Sequence, residues 1–233
     1  MLHHHGHTRT LRHNLQLAGL LSFVAGVVNV CGFFAVETLT TNVTGHFAFF
    51  AQGMLRRDYA VAFEYFAFIV AFFLGSVFAS VLVEIISRRN ARFVYLVPVA
   101  IEITIITVAA LVPVEHNFTY TTELSCFLLF AMGLQNSLVT IISSAVVRTT
   151  HLTGLFTDLG IEVGQLFFYK EADKRRKLRA SVGLRFTIIA AFFSGCTAGG
   201  IAYSFIGLDA MLIASAVLAG ALIYDGWKYG KGH

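Results

Sequence analysis

Apolar runs of membrane-spanning length recur along the chain, separated by short segments that carry most of the charge. An α-helix needs ~20 mainly apolar residues to cross the ~30 Å hydrocarbon core of a bilayer. Six runs reach that length: residues 15 to 36, 60 to 86, 93 to 113, 123 to 147, 181 to 205 and 208 to 226. The pattern predicts an all-α integral membrane protein built as a helical bundle.

Two further apolar runs fit a full crossing poorly. The run from Val43 to Leu55 is too short at ~1.5 Å per residue, and the run from Leu152 to Tyr169 contains two carboxylates. Either both runs cross, which gives eight spans, or both enter partway as partial helices, which leaves six spans. The six-span alternative is favoured because it leaves only Arg56 and Arg57 on the outer side. Both topologies place both termini in the cytoplasm.

A polar phrase with the pattern T-T-x-x-T-G precedes each of these two awkward runs. It occurs as TTNVTG and again as TTHLTG, and two other motifs keep their order around it. The order G-x-x-N, T-T-x-x-T-G, A-F-F-x-G is found at residues 26–29, 40–45 and 71–75, and again at residues 133–136, 149–154 and 191–195. This order predicts an internal duplication, with repeat 1 in residues 15–113 and repeat 2 in residues 120–228, after a polar tail of residues 1–14.

Three spans in each half would place the second repeat upside down relative to the first. Inverted repeats are typical of secondary transporters and some channels, whose binding sites lie near the midplane at short or broken helices. We therefore expect the two phrases to face one shared site.

The phrase supplies groups that suit a buried polar site. Thr44 and Thr153 are predicted to cap the two partial helices, and Gly45 and Gly154 to let a solute or a neighbouring backbone approach. The alternative is a Thr/Gly motif that only packs helices. The predicted substrate-binding residues are Asn29, Thr41, Thr44, Gly45, Gln135, Asn136, Thr150, Thr153 and Gly154.

Acidic residues within apolar runs are candidates for coupling transport to protons or cations. Glu102 lies in the middle of its run, where a carboxylate has to be protonated, paired or in contact with water. Asp158 and Glu162 share one helix face and follow the second phrase. Arg185 either pairs with one of these acids or extends to the inner surface. We predict Glu102, Asp158 and Glu162 as coupling residues.

The amino-acid composition also indicates a membrane protein and excludes several classes of function. Hydrophobic residues make up 57% of the chain, charged residues 13%, and the mean hydropathy is +0.74, values outside the range of soluble domains. The basic residues cluster where helices leave the membrane, so the predicted partner is the lipid bilayer and not nucleic acid. The spacing of the three cysteines fits no metal or redox pattern. The histidines of the tail are enough to hold a transition metal only loosely, and a disordered tail is favoured because no carboxylate or cysteine accompanies them. No catalytic motif is present. We expect a protein without cofactor or enzymatic activity.

The motifs GVVN and TTNVTG, followed by GLQN, RTTHLTG and LFTDLG, resemble the YoaK family of bacterial multi-span membrane proteins, a domain of unknown function family. The resemblance extends from about Leu17 to Tyr224. It implies a compact protein of the bacterial inner membrane and implies no substrate.

Two functions remain at this point. The first is a small secondary transporter or channel that moves a small polar or anionic solute across the cytoplasmic membrane, with proton coupling as one option. The alternative is a non-transporting scaffold that binds lipid or a partner, using the basic segment from Lys170 to Arg179. A water-accessible cavity beside the phrases would favour transport, whereas dry helix contacts there would favour a scaffold. The oligomeric state stays open.

Overall fold

The computed structural model describes residues 10–90, 93–113 and 120–230, with side chains as far as residue 227. Most of the predicted polar tail therefore lies outside the described residues. The described residues form α1 (Leu11–Val36), α2 (Val43–Arg56), α3 (Tyr59–Arg89), α4 (Leu96–Ala110), α5 (Thr121–Ile142), α6 (Leu152–Phe168), α7 (Ala172–Ile206) and α8 (Leu212–Gly230), with a short 3-10 helix at Gly207–Met211.

The helices confirm a helical membrane protein. Within the described residues, four helical stretches are long and apolar enough to cross a bilayer: α1, α3, α5 and the continuous stretch Ala172–Trp227, which contains α7 and most of α8. Large apolar side chains such as Phe193 and Phe205 are exposed on the outer faces of these helices. That exposure is expected where lipid, and not water, surrounds the bundle.

One predicted span is shorter than its apolar run. Helix α4 has 15 residues and is therefore ~22 Å long, less than the thickness of the hydrocarbon core. Pro98 lies in its first turn, where a missing N–H group costs nothing, and Pro113 follows its end and prevents continuation. The two prolines explain why the helix occupies only the centre of the run.

The two awkward runs form the short helices α2 and α6, of 14 and 17 residues. Each packs along the helix that follows it in the chain, α2 on α3 and α6 on α7. At Gly53 a Cβ atom would lie 2.9 Å from the backbone nitrogen of Ala62, so the glycine lets the end of α2 approach α3 closely.

Helix α1 packs against α7 through a pair of glycines. A Cβ atom at Gly26, in the first G-x-x-N motif, would overlap the carbonyl oxygen of Phe192. In return, a Cβ atom at Gly195, in the second A-F-F-x-G motif, would overlap the carbonyl oxygen of Phe23. The two backbones are therefore in direct contact, as at small-residue interfaces between membrane helices.

The same arrangement joins α3 to α5. A Cβ atom at Gly75 would overlap the carbonyl oxygen of Phe130, and one at Gly133 would overlap that of Phe72. In both helix pairs, the G-x-x-N glycine of one half meets the A-F-F-x-G motif of the other half. The recurring motifs thus occupy the contacts between the halves.

Candidate functional site

A cavity of about 650 Å³ lies where the two polar phrases meet. We call it the central cavity. Its lining combines loop and first-turn residues of both phrases with side chains of α1, α3, α5 and α7: Asn29, Leu39, Thr41, Asn42, Val43, Thr44, Phe72, Asn136, Thr140, Arg148, Thr150, His151, Leu152, Thr153 and Phe192. Residues from the two halves of the chain therefore share one polar space inside an apolar bundle.

The first phrase is attached to α1 by a side-chain hydrogen bond. Thr41 Oγ1 donates to Asn29 Oδ1 over 2.9 Å. The amide nitrogen of Asn29 has no partner among the described residues, which leaves its donors available on the cavity wall. Asn29 thus anchors the loop and presents two amide donors to the cavity.

The second phrase repeats this attachment on α5. Asn136 Nδ2 donates to Thr150 Oγ1, and Thr149 Oγ1 donates to Asn136 Oδ1 over 3.2 Å. The G-x-x-N asparagine of each half therefore bonds to the second threonine of its own phrase. Asn136 has more of its bonding capacity occupied by the protein than Asn29 has.

The start of α2 differs from the prediction. The helix begins at Val43, and its cap is Asn42, whose Oδ1 accepts a hydrogen bond from the Gly45 backbone N–H over 3.1 Å. The prediction that Thr44 caps this helix is wrong, because Thr44 is already its second residue. Its side chain lies on the cavity wall.

The start of α6 corrects the matching prediction for Thr153. Helix α6 begins at Leu152, so His151 occupies the cap position, and its side chain makes no capping hydrogen bond. Thr153 is the second residue of this helix and also lines the cavity. In both helices the cap residue lies two positions before the threonine, directly before the backbone enters the helical conformation.

The phrase glycines admit protein side chains. A Cβ atom at Gly45 would lie 2.9 Å from Asn42 Nδ2, and one at Gly154 would overlap the imidazole of His151. Neither glycine lines the central cavity, although Gly154 lines the neighbouring one. A glycine stands at each of these positions because the side chain of the cap residue, Asn42 or His151, occupies the space that a Cβ atom would take.

Gln135 and Glu102 lie away from the central cavity. Gln135 is fully buried, and its Nε2 donates to the Leu21 carbonyl oxygen over 2.9 Å, which joins α5 to α1. Glu102 is fully buried in α4, and neither carboxyl oxygen bonds to a described protein group. Of the predicted binding set, Asn29, Thr41, Thr44, Asn136, Thr150 and Thr153 share the cavity.

The other two predicted coupling residues form ion pairs between α6 and α7. Arg185 donates from Nε to Glu162 Oε2 and from Nη2 to Glu162 Oε1, both over 2.9 Å. Its Nη1 lies 3.3 Å from Asp158 Oδ2, and Ser181 Oγ donates to Glu162 Oε1 over 2.7 Å. Of the two alternatives for Arg185, the structure therefore shows pairing.

A second cavity of about 390 Å³ lies beside these ion pairs. Its lining includes Asp158, Ser181 and Arg185, and it shares Arg148 and His151 with the central cavity. The two spaces are therefore adjacent, with Arg148 and His151 between them.

Sequence reasoning missed Arg148 and His151 as cavity residues. In the sequence, Arg148 is one of the basic residues between apolar runs, and His151 occupies an x position of T-T-x-x-T-G. The available signal was their place in RTTHLTG, directly before and inside the phrase. Among the described residues, no group of three His, Cys, Asp or Glu side chains is placed to hold a metal ion.

The chain belongs to the DUF1275 family, described as proteins of unknown function, whose family model matches residues 17–224. This match confirms the resemblance to a domain of unknown function family. No curated protein and no solved structure matches the chain.

Proposed function

We propose that this protein is a small secondary transporter or channel of the bacterial inner membrane, and that its solute binds in the central cavity. The observation that carries the proposal is the shared lining of that cavity by hydroxyl and amide groups from both phrases. Polar groups inside an apolar membrane bundle are costly unless hydrogen bonds satisfy them. The two asparagines bond to threonines of their own phrases, but these groups also line an open space, whereas a motif that only packs helices would leave no cavity between them.

The proposal includes an inverted repeat with six crossing helices and two partial helices, and with both termini cytoplasmic. It requires α4, which has 15 residues, to cross together with the flanking residues of its apolar run. Two structural observations support it. The glycine contacts between α1 and α7 have counterparts between α3 and α5, and the asparagine-to-threonine bond of the first half has a counterpart in the second. Such pseudo-symmetry around a site built from short helices is the arrangement known from secondary transporters.

Glu102 is the proposed proton-coupling residue. It is fully buried and has no hydrogen-bonding partner among the described residues. An isolated charge in such surroundings is very costly, so the side chain is held as the neutral acid. Transport can then be coupled to its deprotonation in a conformation that hydrates α4.

Cysteine accessibility tests the transport proposal. In a background with Cys31, Cys126 and Cys196 replaced by alanine, Thr44→Cys and Thr153→Cys are exposed to a membrane-impermeant methanethiosulfonate reagent. The matched control is Thr197→Cys, whose threonine lies on the outer face of α7. Intact cells report access from outside, and inverted membrane vesicles report access from the cytoplasm.

A transporter or channel requires both cavity positions to react faster than the control, and to be reached from both sides. If neither position reacts faster than the control, the cavity is closed to water, and the scaffold alternative replaces transport.

A further inference from the structure

Arg148 lines the central cavity together with His151, and no carboxylate among the described residues lines it. From this lining we infer that the solute is a small organic anion and that Arg148 is the residue that selects it. The inference rests on the proposed function and names its substrate class.

Arg148 has no ion-pair partner among the described residues, although acidic residues are close by in the chain. Asp158 and Glu162 both pair with Arg185, at 3.3 Å and 2.9 Å. Arg148 also lines the second cavity, where Asp158 lies, but it forms no ion pair with a described residue there. It is an exposed residue, and its charge raises the concentration of anions and lowers that of cations in the central cavity that it lines.

Two helix starts add to the same electrostatic bias. Val43 and Thr44 belong to the first turn of α2, and Leu152 and Thr153 to the first turn of α6. The helix dipole places partial positive charge at these starts. Two of the first-turn N–H groups already bond within the protein, Gly45 N–H to Asn42 Oδ1 and Leu152 N–H to the Thr150 carbonyl oxygen, and the remaining first-turn N–H groups lack partners within the helix. With Arg148 they form three sources of positive potential around one space.

The remaining lining argues for an organic anion over a hydrated inorganic one. Phe72 and Phe192, from equivalent positions of the two A-F-F-x-G motifs, line the cavity together with Leu39. A volume of about 650 Å³ is typical of pockets for small organic ligands. Arginine binds a carboxylate through two parallel hydrogen bonds. A solute with a carboxylate and an apolar body would therefore contact both Arg148 and the apolar side chains of the lining.

The repeat supplies a matched substitution for Arg148. Leu39 lies directly before the first phrase, as Arg148 lies directly before the second, and both line the cavity. Arg148→Leu therefore places in the second half the same side chain that the first half has at the equivalent position. Arg148→Lys keeps the charge, and Arg56→Leu removes a charge that does not line the cavity.

The first test compares two reagents of similar size on Thr44→Cys in the full-length, alanine-substituted background. One is anionic, sulfonatoethyl methanethiosulfonate, and the other is cationic, trimethylammonioethyl methanethiosulfonate. The ratio of their reaction rates is compared with the ratio for a free thiol in solution. We expect the ratio to favour the anion by about tenfold relative to the free thiol.

The variants identify the source of the selectivity. Arg148→Leu should return the ratio to about the free-thiol value, Arg148→Lys should keep most of the selectivity, and Arg56→Leu should leave it unchanged. A ratio equal to that of the free thiol, or in favour of the cation, overturns the inference while leaving transport in place. Absence of any labelling rejects the proposed function itself.

The second test addresses the organic body of the solute. Protection of Thr44→Cys from the neutral reagent methyl methanethiosulfonate is measured with sodium benzoate, sodium sulfate and benzamide at equal ionic strength. Benzoate should protect more than sulfate, which lacks the apolar body, and more than benzamide, which lacks the charge. Equal or absent protection by benzoate overturns the assignment to an organic anion.

Discussion

The guanidinium of Arg185 binds both carboxylate oxygens of Glu162, each over 2.9 Å, and so ties α7 to α6. Arg185 also reaches Asp158. In the first half, the positions equivalent to Asp158 and Arg185 hold Phe49 and Tyr65, whose rings stack with centroids 4.9 Å apart. One contact between a short helix and the following helix is thus ionic, and its counterpart is aromatic.

This ion pair should contribute measurably to stability. The side chains of Arg185 and Glu162 are 21% and 14% exposed, so removal of one partner leaves a poorly solvated charge. We expect Arg185→Met and Glu162→Met each to lower the free energy of unfolding by ~1 to 3 kcal/mol. The double variant should lose less than the sum, because neither charge is then left alone.

Thermal unfolding of the detergent-solubilised protein measures these effects. The control is Arg88→Met, which breaks the exposed pair with Glu84 and should cost only ~0 to 1 kcal/mol. If Arg185→Met costs no more than this control, the α6 to α7 ion pair has no stabilising role.

Position 102 should tolerate a neutral side chain and not a charged one. Glu102 is buried, and its carboxyl oxygens have no hydrogen-bond partner among the residues that the structure describes. Glu102→Gln therefore replaces one neutral side chain with another of similar shape and should cost under ~1.5 kcal/mol. Glu102→Lys introduces an unpaired cation and should cost ~3 kcal/mol or more. The two unfolding midpoints provide the measurement, and a Gln variant as unstable as the Lys variant would contradict a neutral Glu102.

The two helix-start threonines should contribute to binding in one site. Thr44→Val and Thr153→Val remove a hydroxyl while keeping the shape of the side chain. Loss of one polar contact costs ~1 to 3 kcal/mol, or roughly 5- to 150-fold in affinity. The double variant should be non-additive, because both groups act on one solute.

Affinity is read as the concentration of benzoate that half-protects a cavity cysteine placed at Thr41 by Thr41→Cys. Thr197→Val, on the outer face of α7, serves as the control. Additive losses, or losses no larger than that of the control, would separate the two threonines from a shared site.

The glycines at the interhelical contacts should be intolerant of alanine. A Cβ atom would overlap a backbone carbonyl at each of four positions, which are Gly26, Gly75, Gly133 and Gly195. We expect each alanine variant to lose ~2 kcal/mol or more of stability, because two packed backbones have to separate. Similar losses at all four would support the duplication.

Gly183 provides the matched control for these alanine variants. It lies inside α7, and a Cβ atom there would meet nothing within 4 Å. Gly183→Ala should stabilise the helix by ~0.5 to 1 kcal/mol through propensity alone. Equal thermal unfolding midpoints for Gly183→Ala and Gly26→Ala would show that close backbone contact is not what these glycines provide.

The loop after α3 distinguishes six spans from eight. With six spans it is cytoplasmic, and with eight it is periplasmic. Asn90, the residue directly after α3, is exposed, so Asn90→Cys reports its side of the membrane. We expect protection from an impermeant reagent in intact cells and reaction in inverted vesicles; the reverse pattern would establish eight spans.

The sequence by itself determined where the long helices lie and which motifs recur in the two halves. Helical hydrogen bonds are local, so the length and spacing of apolar residues are enough to place α1, α3, α5 and α7. Pro98 and Pro113 could have indicated the short α4, because proline acts on its own neighbours. The repeated order of motifs predicted that the two phrases face one site, and threonines of both now line one cavity.

Only the tertiary structure decided which groups meet. Gln135 bonds to the Leu21 carbonyl oxygen, Arg185 pairs with Glu162, and Arg148 lines the cavity without an ion-pair partner in the described part of the chain. Each outcome depends on how helices from distant parts of the chain are placed side by side. A polar side chain in a membrane bonds to the nearest group that satisfies it, and nearness across helices is a property of packing that no local pattern encodes.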